Sequence, residues 1–228
     1  ENNIFDMEFT PNRGDCLSIL GLVRDLNIFY ETVTDFSLYN QEIPSFNLNF
    51  INKTPEKCPE ISFLHIEIEG KISEYDTYLE NYFKDLKINK VNFFTDVSNY
   101  VAYEMGQPTH SYDLDKIDSK TPIILQDNKD FTEFTSLMGK KIELKGSDLV
   151  FTNNNKVINL AGIMGGIDTA CEENTRNVLI ECAYFKSEVI TGKAIKYDLH
   201  SEASHKFERG VDQTSHDNIL RRIVHIIN

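Results

Sequence analysis

The stretch Asn177-Val-Leu-Ile-Glu-Cys-Ala-Tyr-Phe185 decides the fold, because it is an almost continuous apolar run of the length of one strand. A single acid, Glu181, interrupts it. A carboxylate in such a strand either points to a solvated face or enters a pocket, where its burial requires a hydrogen-bonding partner. The residues alone leave both interpretations open.

The sequence around this stretch predicts strands and helices without a regular β-α alternation. The preceding glycine run, 161–166, is not expected to form a regular strand, because glycines weaken strands and mark close backbone approaches. We therefore predict an α+β fold, with mixed or antiparallel sheets and helices packed on them in layers. The predicted strands are 6–10, 61–69, 122–126, 141–144, 149–152, 157–160 and 177–185, and the predicted helices are 15–30, 76–88, 96–105, 187–197, 201–208 and 212–227.

Two helix boundaries carry particular predictions. Asp15 is expected to cap the N-terminus of the first helix. Gly106 and Pro108 are expected to stop the helix that contains Asn99, which leaves His110 in a constrained loop just beyond the stop. Residues from about 32 to 60 are predicted to be a loop-rich crossing.

Length and composition allow a sizeable core. The chain has 228 residues, 40% of them hydrophobic, which suffices for one large domain or two intimate lobes. No stretch reaches the ~20 apolar residues of a membrane span. Glu1 at the start and the apolar pattern at the end predict a fragment of a longer chain. The cysteines are widely spaced, so we expect reduced thiols in a cytoplasmic protein and no metal site.

The net charge of −13 argues against a free-standing nucleic-acid binder, because neutralising phosphates requires clustered cations. Cations do gather in the last quarter of the chain, where they alternate with acids. That pattern fits a mixed solvated face or a local contact for one RNA strand end, and composition does not choose between them. These cations are Lys186, Lys193, Lys196, Lys206, Arg209, Arg221 and Arg222.

Catalytic motifs are few. The glycine run matches neither a phosphate-binding loop nor a dinucleotide fingerprint, so no nucleotide cofactor is predicted. No serine or cysteine lies in a known nucleophile motif. From the residues alone, the prediction stops at an α+β domain with room for a small-ligand pocket.

Four segments, in this order along the chain, resemble the β subunit of bacterial phenylalanyl-tRNA synthetases. They are Phe9-Thr-Pro-Asn-Arg-Gly-Asp-Cys-Leu-Ser18; Asp96-Val-Ser-Asn-Tyr100 with Glu104-Met-Gly-Gln-Pro-Thr-His110; the strand 177–185; and Leu199-His-Ser-Glu-Ala-Ser-His-Lys-Phe-Glu-Arg-Gly-Val-Asp212. Residues 32–90 carry little of the resemblance.

The resemblance implies the third and fourth domains of that subunit, which in the family form one intertwined α+β unit. It would span 1–228, with a first lobe over about 1–90 and a second lobe over about 91–228 that carries the pocket. The implied activity is hydrolysis of tyrosine wrongly esterified to phenylalanine tRNA. The implied partners are the 3′ end of that tRNA and an α subunit in an α2β2 assembly, with neither membrane nor DNA. The parent enzyme would use ATP and magnesium, whereas this region needs no cofactor.

The resemblance also implies the site residues. His110 and Asn99 match the family's pocket histidine and asparagine, in catalytic roles. Glu181 matches the glutamate that recognises the tyrosine hydroxyl. The remaining substrate-binding positions are Gly162, Gly165, Gly166, Ser201 and Ala203, with Ser201 standing where many members have threonine.

The chain departs from the family after the glycine run. Ile167-Asp-Thr-Ala-Cys171 stands where the family usually has an acid and a small-residue turn, so that loop is expected to be rearranged. Two alternatives to a hydrolytic editing domain acting in cis stay open. One is a structural, tRNA-docking domain whose editing site has decayed, and the other is a stand-alone editing protein acting in trans.

Overall fold

A computed structural model describes residues 4–31, 36–70, 72 and 75–228. It has the predicted α+β composition, with mixed sheets and packed helices. The strands are β1 (Phe50–Asn52), β2 (Glu60–Glu67), β3 (Thr109–Asp113), β4 (Ile123–Asn128), β5 (Thr132–Thr135), β6 (Lys141–Leu144), β7 (Asp148–Asn153), β8 (Lys156–Leu160), β9 (Met164–Gly165) and β10 (Asn177–Tyr184). The helices are α1 (Ile19–Leu26), α2 (Thr77–Leu86), α3 (Phe93–Met105), α4 (Ser187–Ile190), α5 (Lys193–Tyr197), α6 (Glu202–Arg209) and α7 (His216–Ile227).

The apolar strand β10 is the central strand of a three-stranded antiparallel sheet, between β2 and β3. Its side chains alternate between two hydrophobic cores, because successive residues of a strand point to opposite faces. Leu179 and Ala183 enter one core, whereas Val178 and Ile180 enter the other. A run that is apolar on both faces is therefore explained by burial on both sides.

The larger core lies between this sheet and a five-stranded sheet of order β1-β4-β7-β8-β9. Helices α4, α5 and α6 contribute side chains to it, among them Ile190, Ala194 and Phe207. The smaller core lies on the opposite face, beneath α2, α3 and α7. The three-stranded sheet is thus the middle layer of the molecule.

Each of the two larger sheets contains strands from both sides of the predicted lobe boundary near residue 90. β1 pairs in parallel with β4, and β2 pairs with β10. Strands from either side of the boundary therefore share the same hydrogen-bonded ladders, and the two predicted lobes are interleaved.

Two predictions near the N-terminus are wrong. Residues 6–10 form no strand, because they are largely exposed and no neighbouring strand pairs with them in the described part of the chain. The first helix begins at Ile19, and its cap is Ser18, whose hydroxyl accepts a hydrogen bond from the Gly21 amide at 3.1 Å. Asp15 instead pairs with Arg13 at 3.0 Å and with Arg24.

Most other predicted elements are confirmed within a few residues, and the exceptions involve short strands and a broken helix. β1, β3 and β5 were not predicted, and Gly192, with φ of 77°, splits the predicted helix 187–197 into α4 and α5. The glycine run forms a tight turn that ends in the two-residue strand β9. The start of the predicted crossing, residues 32–35, and Glu1 lie outside the described residues.

Candidate functional site

Glu181 points from the middle of β10 into the larger core and is only 4% exposed. Its backbone pairs with Phe63 on β2 and with His110 on β3. Burial raises the pKa of this carboxyl from 4.5 to about 8. Of the two interpretations that the sequence left open, the structure shows the buried one.

The carboxyl of Glu181 is hydrogen-bonded to two neutral side chains. The Tyr112 hydroxyl donates to Oε2 at 2.7 Å, and the Asn159 amide lies 3.4 Å from the same oxygen. The amide also donates to the Tyr112 hydroxyl at 2.8 Å. A buried acid, a phenol and an amide thus form one compact network that joins β3, β8 and β10.

His110 lies on strand β3, which corrects the predicted loop position. It stands directly opposite Glu181 in the ladder, and side chains of directly opposed residues share a face. Its ring contacts that of Tyr112 edge-on, with 4.4 Å between centroids. Its Nε2 is buried without a hydrogen-bonding partner, and burial lowers the pKa of the imidazole to about 4. His110 is therefore neutral near pH 7.

The glycine turn lies against His110. A β-carbon on Gly165 would lie 2.2 Å from the His110 Cε1 atom, so only glycine allows the ring to stack on this backbone. Gly162 has φ of 70°, and Gly166 lies against the Ile158 carbonyl. The structure therefore brings the glycine run, His110 and Glu181 together.

Ser201 and Ala203 lie at the N-terminus of α6, next to the glycine turn. The Ser201 hydroxyl caps the helix by accepting from the Ser204 amide at 3.0 Å, and it donates to the Ile163 carbonyl at 2.8 Å. Ala203 is partly buried and packs against the larger core. The N-terminus of α6 is thereby fastened to the glycine turn.

Asn99 is not part of this arrangement. It is exposed on α3, a helix that packs on the other face of the three-stranded sheet. The hydroxyl of Ser98, on the same helix, lies 3.2 Å from that of Ser111. Ser111 and His110 are neighbours on β3 and point to opposite faces. The structure therefore does not bring Asn99 together with Glu181 and His110.

Tyr112 and Asn159 are the members of the site that sequence reasoning missed. Had residues 109–113 been interpreted as a strand, the two-residue period would have placed Tyr112 beside His110. No comparable signal marks Asn159, because its contact with Glu181 depends on how two separate sheets pack.

Cysteines, a group of acids and two cavities are the other features that could carry chemistry. The four cysteines are free and buried. Asp15, Cys16 and Asp25 lie close enough together to hold a cation, but Arg13 already hydrogen-bonds all three. Two surface cavities, of about 550 and 970 Å³, have neither Glu181 nor His110 in their walls. The candidate site is therefore defined by the hydrogen-bond network of Glu181, Tyr112 and Asn159 and not by a cavity.

Comparison with known proteins shows the family of the chain. The B3/4 domain family matches residues 57–228, which include every element of the site. The chain belongs to the B3/4 domain family.

Similarity of this B3/4 domain chain to curated proteins extends beyond the matched range. It is 32% identical to the phenylalanine–tRNA ligase β subunit of Francisella tularensis over 100% of the chain and 29% of that protein. The corresponding subunit of Pectobacterium atrosepticum is 30% identical over 100% of the chain and 29% of its own length. The chain thus spans less than a third of the length of these relatives.

A solved structure has a weaker likeness to this B3/4 domain chain. It is an N-terminal fragment of the phenylalanyl-tRNA synthetase β subunit from Pyrococcus horikoshii. The TM-score is 0.46 and the identity 16%, over 79% of this chain and 55% of that one. Among the described residues, no helix is long and apolar enough to cross a membrane.

The contact between Gly165 and His110 predicts a coupled pair of substitutions. Gly165→Ala should lower the free energy of unfolding by about 1–3 kcal/mol, because the new methyl group overlaps the ring. In a His110→Ala background the methyl group has room, so the added cost should largely vanish. A double-mutant cycle measured by denaturant unfolding provides the check. Additive costs would show that the ring does not rest on this glycine.

The buried carboxyl predicts a dependence of stability on pH. Between about pH 4.5 and 8, Glu181 holds a proton in the folded chain that it releases on unfolding, so its contribution to wild-type stability falls as pH rises. Glu181→Gln removes this contribution. The free energy of unfolding of the variant relative to wild type should therefore rise by about 1.4 kcal/mol per pH unit in that window.

The matched control for this experiment is Glu143→Gln, which changes an exposed glutamate on β6. Its stability should follow that of wild type with a parallel slope. If the curve of Glu181→Gln is parallel to wild type as well, the carboxyl is not held protonated in the fold.

Proposed function

We propose that this chain is the editing region of a phenylalanine–tRNA ligase β subunit and hydrolyses tyrosine wrongly esterified to phenylalanine tRNA. The observation that carries the proposal is the hydrogen bond between buried Glu181 and the phenol of Tyr112, at 2.7 Å. It supports the proposal because the carboxyl binds a phenol within the fold, which is the group that distinguishes tyrosine from phenylalanine. Similarity to β subunits over the whole chain supports it as well.

Such a site would compensate for the weak rejection of tyrosine by a pocket that binds phenylalanine. A pocket shaped for phenylalanine rejects an isostere with one more hydroxyl by only about two orders of magnitude. A second site can select for tyrosine if it provides a hydrogen-bonding partner for that hydroxyl. Glu181 would accept a hydrogen bond from bound tyrosine, whereas phenylalanine would leave the desolvated carboxyl without it, at a cost of about 1–3 kcal/mol or more.

Hydrolysis in this proposal uses bound water, because the described site contains no serine or cysteine placed as a nucleophile. His110 is neutral near pH 7, and its Nε2 is unpartnered, so the ring can orient a water or hold the terminal adenosine. Oxyanion stabilisation would come from amides of the glycine turn. The amides of Ala161, Ile163 and Gly166 already donate to backbone carbonyls, so the candidate donors are the remaining amides of the turn, Gly162 among them.

Several cations of the last quarter pair with acids of the fold, and Arg222 is itself buried, which disfavours an RNA contact. Lys193 and Lys196 pair with Asp148, and Arg222 pairs with Glu104. In the proposed parent enzyme, affinity for tRNA would therefore come mainly from other regions, and this region would receive the 3′ end. The α subunit in an α2β2 assembly, ATP, magnesium and the cytoplasmic location belong to that parent enzyme.

A structural, tRNA-docking role with a decayed editing site is the second candidate. Two observations favour it: Asn99 is exposed on the far side of the sheet, and the Glu181 carboxyl is already hydrogen-bonded to Tyr112. Both candidates predict the same fold and the same partners. They differ in whether the parent enzyme clears mischarged tyrosine.

The deciding experiment compares hydrolysis of tyrosine-charged and phenylalanine-charged phenylalanine tRNA by the parent enzyme. Wild type should clear the tyrosyl ester selectively. Measured above pH 8, where the carboxyl is ionised, Glu181→Ala should lower the ratio of the two rates by about tenfold or more, since a hydrogen bond to a charged group contributes about 1.5–3 kcal/mol. Thermal unfolding of the same variant separates selectivity from folding.

The matched control is Glu104→Ala, which removes a buried glutamate that pairs with Arg222 beneath α3. It should lower stability while leaving the ratio of the two clearance rates unchanged. A wild-type enzyme that leaves tyrosyl-tRNA intact would establish the structural role instead.

A further inference from the structure

The hydrogen bonds around Glu181 have a defined direction. The Asn159 amide donates to the Tyr112 hydroxyl at 2.8 Å, so the phenol directs its own proton to Glu181 Oε2, 2.7 Å away. An amide N–H only donates, whereas a phenol oxygen both donates and accepts. Asn159 therefore fixes the rotation of the hydroxyl that bonds the carboxyl.

The position of Tyr112 is fixed on several sides. Its side chain is fully buried, and its ring packs edge-on against His110 and, at 6.5 Å, against Phe151. Its backbone pairs with Leu179 on one side and forms an isolated bridge with Ala170 on the other. Ala170 belongs to the loop 167–171 that departs from the family pattern, so this loop contributes to holding Tyr112 in place.

Both hydrogen bonds recorded for the Glu181 carboxyl fall on Oε2. A carboxylate has two oxygens and about four acceptor positions. With Oε2 committed to Tyr112 and Asn159, Oε1 is the oxygen left to accept a hydrogen bond from a ligand. The network therefore holds the carboxyl in one rotamer and presents one defined atom.

We propose that Tyr112, oriented by Asn159, is a positioning residue that holds Glu181 ready to accept the hydroxyl of a substrate tyrosine on Oε1. The inference rests on the proposed editing function and adds two residues that set its selectivity. Tyr112 acts through Glu181 and does not itself contact the substrate.

The charge state of Glu181 depends on the same two donors. The titratable groups that face it are Tyr112 and His110 on β3 and Cys58 before β2, and Cys182 follows it on β10 with its side chain in the opposite core. Burial keeps all four uncharged near pH 7, because it raises the pKa of the phenol and the thiols and lowers that of the imidazole. With no cation among these groups, the ionised carboxyl is stabilised by hydrogen bonds from neutral groups, and the bond from Tyr112 lowers its pKa.

A competing account makes Tyr112 an occupant of the site that blocks the substrate hydroxyl. The two accounts predict opposite effects of removing the phenol oxygen. If Tyr112 positions Glu181, Tyr112→Phe weakens clearance of tyrosyl-tRNA, most of all at low pH. If Tyr112 blocks Glu181, the same substitution strengthens clearance at every pH.

The test is the pH dependence of tyrosyl-tRNA clearance by the parent enzyme, with uncatalysed hydrolysis subtracted. Loss of the phenol donor should raise the pKa of Glu181 by about one unit, so clearance by Tyr112→Phe should fall about tenfold near pH 6.5 and only about threefold near pH 8.5. Asn159→Ala should shift the profile in the same direction by a smaller amount. A purely structural defect would lower clearance equally across the range.

The matched control is Tyr75→Phe, which removes another phenol bonded to a buried carboxyl, that of Asp96 at 2.6 Å beneath the opposite face of the sheet. Its profile should superimpose on that of wild type. An unshifted profile or faster clearance in Tyr112→Phe would overturn the inference while leaving the editing function in place. Failure of wild type to clear tyrosyl-tRNA would overturn both.

Discussion

The structure of the site depends on one constraint, the burial of the Glu181 carboxyl between two sheets. A carboxylate transferred into an apolar core loses its hydration and requires hydrogen-bonding partners. Here the partners are the neutral side chains Tyr112 and Asn159, and burial raises the pKa of the acid to about 8. In the proposed editing function, this acid would accept the hydroxyl of a bound ligand.

The layered fold places the other site groups around that carboxyl. β10 is the middle strand of the middle layer, so Glu181 faces the five-stranded sheet while its neighbours Ile180 and Cys182 fill the opposite core. His110 stands opposite it on β3, and Gly165 approaches the same ring from β9. The glycine at that point is required by sterics, because a methyl group would overlap the imidazole.

Sequence reasoning predicted the parts of this site that have strong local patterns and missed those that depend on how the elements pack. The apolar run 177–185, the glycine turn and most of the helices carry strong local patterns, and the structure has them. Asn99 was assigned to the site by resemblance alone, and a match of residue types does not tell which face of a sheet a helix covers. Tyr112 was missed because residues 109–113 follow a glycine–proline stop and were interpreted as a loop, although they pair with β10.

The central claim, that Glu181 reads a phenol, is tested most directly by ligand binding without catalysis. The ligands are adenosines that carry tyrosine or phenylalanine at the 3′ position through an amide that water does not cleave, and their affinities for the parent enzyme are compared by calorimetry. Above pH 8, where the carboxyl is ionised, we expect the tyrosyl compound to bind about tenfold more tightly to wild type, and the two to bind equally to Glu181→Ala, since one hydrogen bond to a charged group separates them. Equal affinities in wild type would contradict the claim.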